Sequence, residues 1–291
     1  MKRREGAVDV KNRRIFSCLF VLIFLISGAV VTPAWAAKIV IFGDSQRNEP
    51  AQRRVAAAVI AEQPDIVFRV GDLVDNGNDP DQWAFFREIN APLMENAEYF
   101  PCLGNHEHDS PLYFEQFPFL KGKRWYSVDR SGIHFTVLDS NSSLKPDSDQ
   151  YQWLKWDLSG KREGDLYKVV IFHHPIFDVG EGHRPDEKGL KNLLLPLFKQ
   201  NGVDAVFNGH DHNYQRFKYN GVTFVITGGG GTRLDRQARP SPYLEMFKAA
   251  YHYCVLNPEE DGLEIRVWGI DGELIDEFLI GGMRAAVPAR L

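Results

Sequence analysis

Five short apolar runs in this chain each end in a polar cluster able to bind metal, and this repetition constrains the fold more than any other feature. Residues 38–42 run into Gly43-Asp44, and residues 65–70 into Gly71-Asp72. Residues 98–103 lead to Gly104-Asn105-His106-Glu107, residues 168–172 to His173-His174-Pro175, and residues 205–208 to Gly209-His210-Asp211-His212. Apolar runs this short, closed by glycine, read as buried strands. Open α/β sheets bind ligands beyond the carboxyl ends of their strands, so the pattern gathers carboxylate, amide and imidazole groups at one edge. Taken singly, Asp after Gly is a turn residue or helix cap, Asn105 is a turn former, and adjacent histidines carry little information. The signal is that all five occur in order. The mixture of hard and borderline donors suits Mn, Fe or Zn better than Ca or Mg.

Between these runs the composition is helical over 51–61, 81–90, 149–158 and 187–200, with Pro196 a kink or boundary in the last. Residues 125–128 and 133–138 read as paired strands around Arg130-Ser131-Gly132. A strand over 222–227 closes on the glycines 228–231, and further strands are expected near 251–256, 263–268 and 274–280. Helices alternate with strands early, and strands cluster late. The expected fold is therefore α/β, with two sheets packed face to face and helices outside. No Pro-, Gly- or Ser-rich linker divides residues 37–291, which are expected to form one domain.

Residues 1–36 read differently. A basic start (Lys2, Arg3, Arg4, Lys11, Arg13, Arg14) precedes an apolar stretch over 15–31 and then Ala34-Trp35-Ala36, a small-x-small cleavage pattern. This is the layout of a signal peptide cleaved after Ala36, which places the protein in the periplasm or outside the cell. An uncleaved anchor is the alternative. Arg13-Arg14 fits twin-arginine export as well as an ordinary basic start. Cleavage takes six basic and two acidic residues from totals of 34 and 39, leaving a net charge of −9. That charge argues against general nucleic-acid binding but leaves small phosphorylated substrates open. Cys102 and Cys254 remain, both in strand-like apolar runs, and are expected to be buried free thiols rather than a disulfide.

The ordered clusters, extended through Asn213-Tyr214-Gln215-Arg216 and the glycines 228–231, resemble those of the calcineurin-like metallophosphoesterases, and within them the purple acid phosphatase branch. The resemblance covers nearly all of residues 37–291. It implies a four-layer αββα sandwich with two metal ions at the sheet edge. Asp72 would bridge both, Asp44 and His212 would complete one site, and Asn105, His173 and His210 the other. The family spacing to Pro175 assigns the ligand role to His173 and a supporting one to His174. Two positions depart from the pattern. Gln46 stands where many relatives have a ligating His, so its carbonyl becomes a weaker candidate ligand. Asp75 stands where purple acid phosphatases have the coloured Tyr, so no purple absorption band is expected.

Such a centre would hydrolyse phosphate esters through in-line attack by a hydroxide shared between the metals. His106, beside a ligand Asn, is the candidate general acid, with Glu107 to orient it. His183 and Arg216 are candidate substrate-binding residues. A phosphomonoesterase is the first reading. A phosphodiesterase acting on nucleotides or cyclic nucleotides is the alternative, and a binding protein on the same scaffold is the reading from another class.

Overall fold

The structure, a computed structural model, describes residues 37–47, 49–160, 167–259 and 262–281. The expected leader over 1–36 lies outside them. One sheet contains β1 (Ile39–Phe42), β2 (Ile66–Arg69), β3 (Glu98–Pro101), β11 (His252–Pro258), β12 (Leu263–Gly269) and β13 (Leu274–Ile280), in the order β13-β12-β11-β1-β2-β3. The other contains β4 (Tyr126–Arg130), β5 (Ile133–Val137), β6 (Tyr167–Ile171), β7 (Ala205–Asn208), β8 (Tyr214–Tyr219), β9 (Val222–Thr227) and β10 (Leu244–Lys248), in the order β10-β8-β9-β7-β6-β5-β4. In the six-stranded sheet the parallel strands form one end, with β3 at the edge, and antiparallel strands complete the other; in the seven-stranded sheet a parallel centre has antiparallel strands on both sides. β1, β2 and β3 run parallel, as do β5, β6, β7 and β9.

Why two sheets stack follows from strand periodicity. Successive side chains point to opposite faces, and the central strands are apolar on both. Ile39 and Ile41 share an inner core with Val169, Ile171 and Phe207 of the opposite sheet. Their neighbours Val40 and Phe42 pack outward on Val55 and Val59 of α1 (Glu49–Ala61) and on Trp83 and Phe86 of α2 (Pro80–Asn96). On the far side, Val170 and Val206 pack against Leu154 of α4 (Asp149–Ser159) and Leu194 and Phe198 of α5 (Lys191–Gln200). The layers are therefore αββα, as expected. Cys102 and Cys254 are buried and unpaired. Among the described residues no helix is long and apolar enough to cross a membrane.

Several local expectations needed correction. α2 continues through Pro92 to Asn96, and α5 continues through Pro196 but begins at Lys191 rather than at 187. Asp186 and Gly189 have φ of 51° and 67°, a left-handed backbone that a helix cannot contain. β8 and β10 were not anticipated, nor was the short α3 (Pro111–Gln116), capped by the Ser110 side chain. The β8–β9 hairpin turns on Asn220-Gly221, with φ of 50° and 87°, the residue pair that favours a tight hairpin turn.

Candidate metal centre

The parallel strands of both sheets end at one rim, and the backbone there is unusual. Asp44, Asp72 and His210 have φ of 59°, 51° and 73°, a conformation that costs non-glycine residues about 1–3 kcal/mol each when surrounding structure imposes it. The surroundings impose it through hydrogen bonds. Asp44 N–H donates to Gly71 O (3.1 Å) and Ser45 N–H to Asp72 O (2.9 Å). His210 N–H donates to Asp44 Oδ1 (2.8 Å). The buried Glu107 carboxylate accepts from the N–H groups of Asp72 (3.1 Å), Leu73 (2.8 Å) and Gly104 (2.6 Å). Glu107 thus ties together the loops after β2 and β3, which corrects the expectation that it orients His106.

The side chains then converge. Asn105 Oδ1 lies 3.0 Å from His173 Nε2 and 3.1 Å from His210 Nδ1, and those two nitrogens are 3.2 Å apart. Asp72 Oδ2 is 3.3 Å from His173 Nε2. Ligand atoms about 2.1 Å from a common metal are separated by about 3.0–3.4 Å at angles near 90–109°, so this spacing is that of a coordination shell. His173 Nδ1–H donates to Val70 O (2.9 Å), which aims Nε2 inward, where a cation would take the place of its proton. Amide oxygen, imidazole lone pair and carboxylate thus point at one another.

The second half of the centre surrounds Asp44. Gln46 Nε2 donates to Asp72 Oδ2 (3.3 Å), while His212 Nε2 stands 4.0 Å from Asp44 Oδ1. Asp44 Oδ2 and Gln46 Oε1 are buried without a hydrogen-bond partner. Orphaned buried acceptors are costly unless something cationic satisfies them. Burial pushes the Asp44 carboxyl up to about 7. Burial pushes Asp72 up as well, but the charge of His173 outweighs it and holds Asp72 below its ordinary value. Burial, then the neighbouring His173, keeps His210 far below the usual histidine range, hence neutral. The residues present fit a pair of cations.

Each candidate ligand histidine is steered by its other nitrogen, a common device at metal sites. Val70 O holds His173. Asp235 Oδ2 lies 3.2 Å from His212 Nδ1. Glu187 Oε1 lies 3.5 Å from His210 Nε2, an electrostatic partner rather than a hydrogen bond. His174 offers Nδ1 to the Ser140 hydroxyl (2.7 Å) and sits 4.4 Å, ring to ring, from His210, in keeping with a supporting role.

A profile of the calcineurin-like phosphoesterases matches residues 37–214. The chain belongs to that family. It is 29% identical over 215 residues to purple acid phosphatase 22 of Arabidopsis thaliana, covering 64% of this chain and 50% of that protein. It is 32% identical over 196 residues to purple acid phosphatase 18 of the same plant, covering 58% and 45%. The chain spans about half the length of these relatives. Among solved structures, purple acid phosphatase PPD1 from yellow lupin (Lupinus luteus) seeds shares the fold, with a TM-score of 0.76 at 22% identity over 86% of this chain and 54% of that one.

Against this calcineurin-like frame, Asp44, Gln46, Asp72, Asn105, His173, His210 and His212 are brought together, and His106 stands beside them with Nε2 3.9 Å from Asp72 Oδ2. His106 Nδ1–H donates to Asp75 O (2.7 Å), so Asp75 holds the ring. His183 stacks on His210 with ring centroids 3.6 Å apart and places Nδ1 3.7 Å from Glu187 Oε2. Arg216 does not join the centre. Its guanidinium binds Asp276 (2.7 Å) and Glu245 and lies over Phe278, so each of its three nitrogens is engaged by β10 or β13 rather than by the ligand cluster, which corrects the expected substrate role. Sequence reasoning passed over Glu187 and Asp235, which lie in loops without a motif.

Proposed function

We propose that the protein is a metal-dependent phosphomonoesterase. The supporting observation is the convergence of Asn105 Oδ1, His173 Nε2, His210 Nδ1 and Asp72 Oδ2 within coordination distance of one another. Asp72, Asn105, His173 and His210 would hold one cation; Asp72, Asp44, His212 and the carbonyl of Gln46 would hold the other. Bound cations of the Mn, Fe or Zn type would supply an acidified water and neutralise charge on the phosphoryl oxygens. The chain's own groups do the rest. His106, its Nδ1–H fixed on Asp75 O, keeps Nε2 toward the centre and donates the proton there to the departing ester oxygen. His183, stacked on His210, presents a ring edge to a phosphoryl oxygen. Glu187 and Asp235 keep the ligand nitrogens of His210 and His212 facing inward.

The leader over 1–36 supports the further reading that the protein is exported, by cleavage after Ala36, to the periplasm or the medium. A mature N-terminus at Ala37 in the exported form tests this.

The deciding assay is hydrolysis of a chromogenic phosphomonoester beside its diester by the Mn-loaded protein, with and without chelator. Monoester turnover that chelator abolishes supports the proposal. Preference for the diester replaces it with a phosphodiesterase, and turnover indifferent to chelator sinks the metal assignment.

A further inference from the structure

Beneath the second half of the centre lies a cation that takes no part in the scheme for hydrolysis. Arg69, the last residue of β2, is wholly buried. Its Nε–H donates to Phe42 O (3.2 Å), Nη1 to Asn90 Oδ1 (3.3 Å) and Tyr99 Oη (2.6 Å), and Nη2 to Ser45 Oγ (2.7 Å). Cζ stands 4.0 Å from the centre of the Phe42 ring. Each of these partners is neutral, and among the described residues no carboxylate pairs with the guanidinium. Arginine stays charged in proteins, and a buried charge without a counter-ion is costly even when its hydrogen bonds are made. What those hydrogen bonds hold is therefore informative.

The contact that reaches the rim is the one with Ser45. This residue lies between Asp44 and Gln46, both candidate ligands of the second cation. Its turn is left-handed at Asp44 and again at Arg47, with φ of 59° and 69°. Such a backbone keeps its shape only where its surroundings hold it. Ser45, in the middle of the turn, is one of the points that hold it. Its N–H donates to Asp72 O (2.9 Å) and its hydroxyl to Leu73 O (3.1 Å), so the hydroxyl proton is committed and the oxygen accepts from Arg69. Asn90 keeps Oδ1 toward Arg69 because its Nδ2 donates to Phe86 O (2.9 Å), one turn back along α2. A chain of contacts thus runs from α2 through Arg69 and Ser45 to Asp44 and Gln46. The other half of the centre is held by other groups: Glu107 takes the Gly104 N–H beside Asn105, and Val70 O takes His173.

We propose that Arg69 is a positioning residue of the metal centre: through Ser45 it sets the turn that presents Asp44 and Gln46 to one of the two cations. The proposal rests on the two-cation reading of the centre, and its test counts bound metal rather than turnover. The Mn-loaded protein is equilibrated with graded chelator, and the Mn retained per chain is measured beside the melting temperature. In Arg69→Met one Mn should be lost at about tenfold lower chelator strength than in the parent, the low end of what removing a partner behind a ligand does. The other Mn should be lost as in the parent. Ser45→Ala leaves the guanidinium and the core around it in place, so it tests the same contact even where Arg69→Met fails to fold. It should loosen the same Mn by a similar factor, and the double variant should add little to either single change, because both interrupt one chain of contacts. Equal loosening of both Mn in Ser45→Ala, or release unchanged from the parent's, overturns the proposal and leaves the two-cation reading standing. A parent protein that retains fewer than two Mn at any chelator strength overturns both.

Discussion

At the scale of single residues, the centre is built from side chains whose second contacts matter as much as their first. Asp72 is the shared ligand of the proposed pair, and its carboxylate meets His173, Gln46 and the His106 N–H. Asp72→Asn removes one negative charge from between two cations. Activity should fall by more than about 10³-fold, the loss of several kcal/mol of charge stabilisation, and bound metal should fall with it. Near-parental turnover with full metal content would refute the two-metal assignment. Asp235 touches no substrate in this scheme; it holds His212 through Nδ1. Asp235→Asn keeps the shape but weakens that hold, so metal affinity should drop by about 10–100-fold. Competition with a fluorescent chelator measures it, and an unchanged affinity would show that His212 needs no such support.

At the scale of elements, the loops after β1, β2, β3, β7 and β9 are packed backbone against backbone. The glycines 228–231 are used for this close approach rather than for a tight turn: Gly230 N–H donates to Gly43 O (2.8 Å), and a Cβ at Gly230 would stand 2.0 Å from that oxygen. Gly104 is the sharper case. A Cβ there would lie 2.1 Å from Asp72 Oδ1 and 2.4 Å from Asp72 N, so the loop after β3 could not close on the loop after β2. Gly104→Ala should destabilise the fold by about 1–3 kcal/mol and displace Asp72 and Asn105 together. The expected result is a lower melting temperature with metal stoichiometry below that of the parent. A variant with parental stability and two bound metals would mean that the loops can give way.

At the scale of the whole molecule, stability depends on pH through buried histidines that are not ligands. His252 on β11 is fully buried; Nδ1–H donates to Ala250 O (2.9 Å), and Nε2 has no partner. Burial pushes it down to about 4, whereas an unfolded histidine titrates near 6.5. Between these values the unfolded chain binds a proton that the folded chain refuses, so stability falls as pH drops from about 6.5 to about 4. The loss from this one group is on the order of 3 kcal/mol. His252→Asn keeps a donor for Ala250 O but cannot titrate. Its unfolding free energy should therefore fall less steeply than the parent's between pH 7 and 4.5. Parallel curves would place the acid sensitivity elsewhere, in the carboxylates and histidines of the rim.

The layering was legible in the sequence by itself, and so was the set of side chains that converge at the rim. Apolar runs such as 38–42 and 168–172 carry side chains that must be buried on both faces, which forces sheets sandwiched between helices, and the polar cluster after each run must then emerge at the strand ends. The hairpin turn at Asn220-Gly221 was equally legible, and β8 could have been read from it. Tertiary structure alone decided the rest. Glu107 looked like a partner for His106 because the two are adjacent, yet adjacent residues point apart, and its carboxylate reached the N–H groups of the loop after β2. Arg216 sits inside a recognisable motif, but β8 runs away from the rim and leads it to Asp276, sixty residues on. Glu187 and Asp235 carry no motif. Their roles come from which loops pack together, and such long-range proximity has no local signature in the chain.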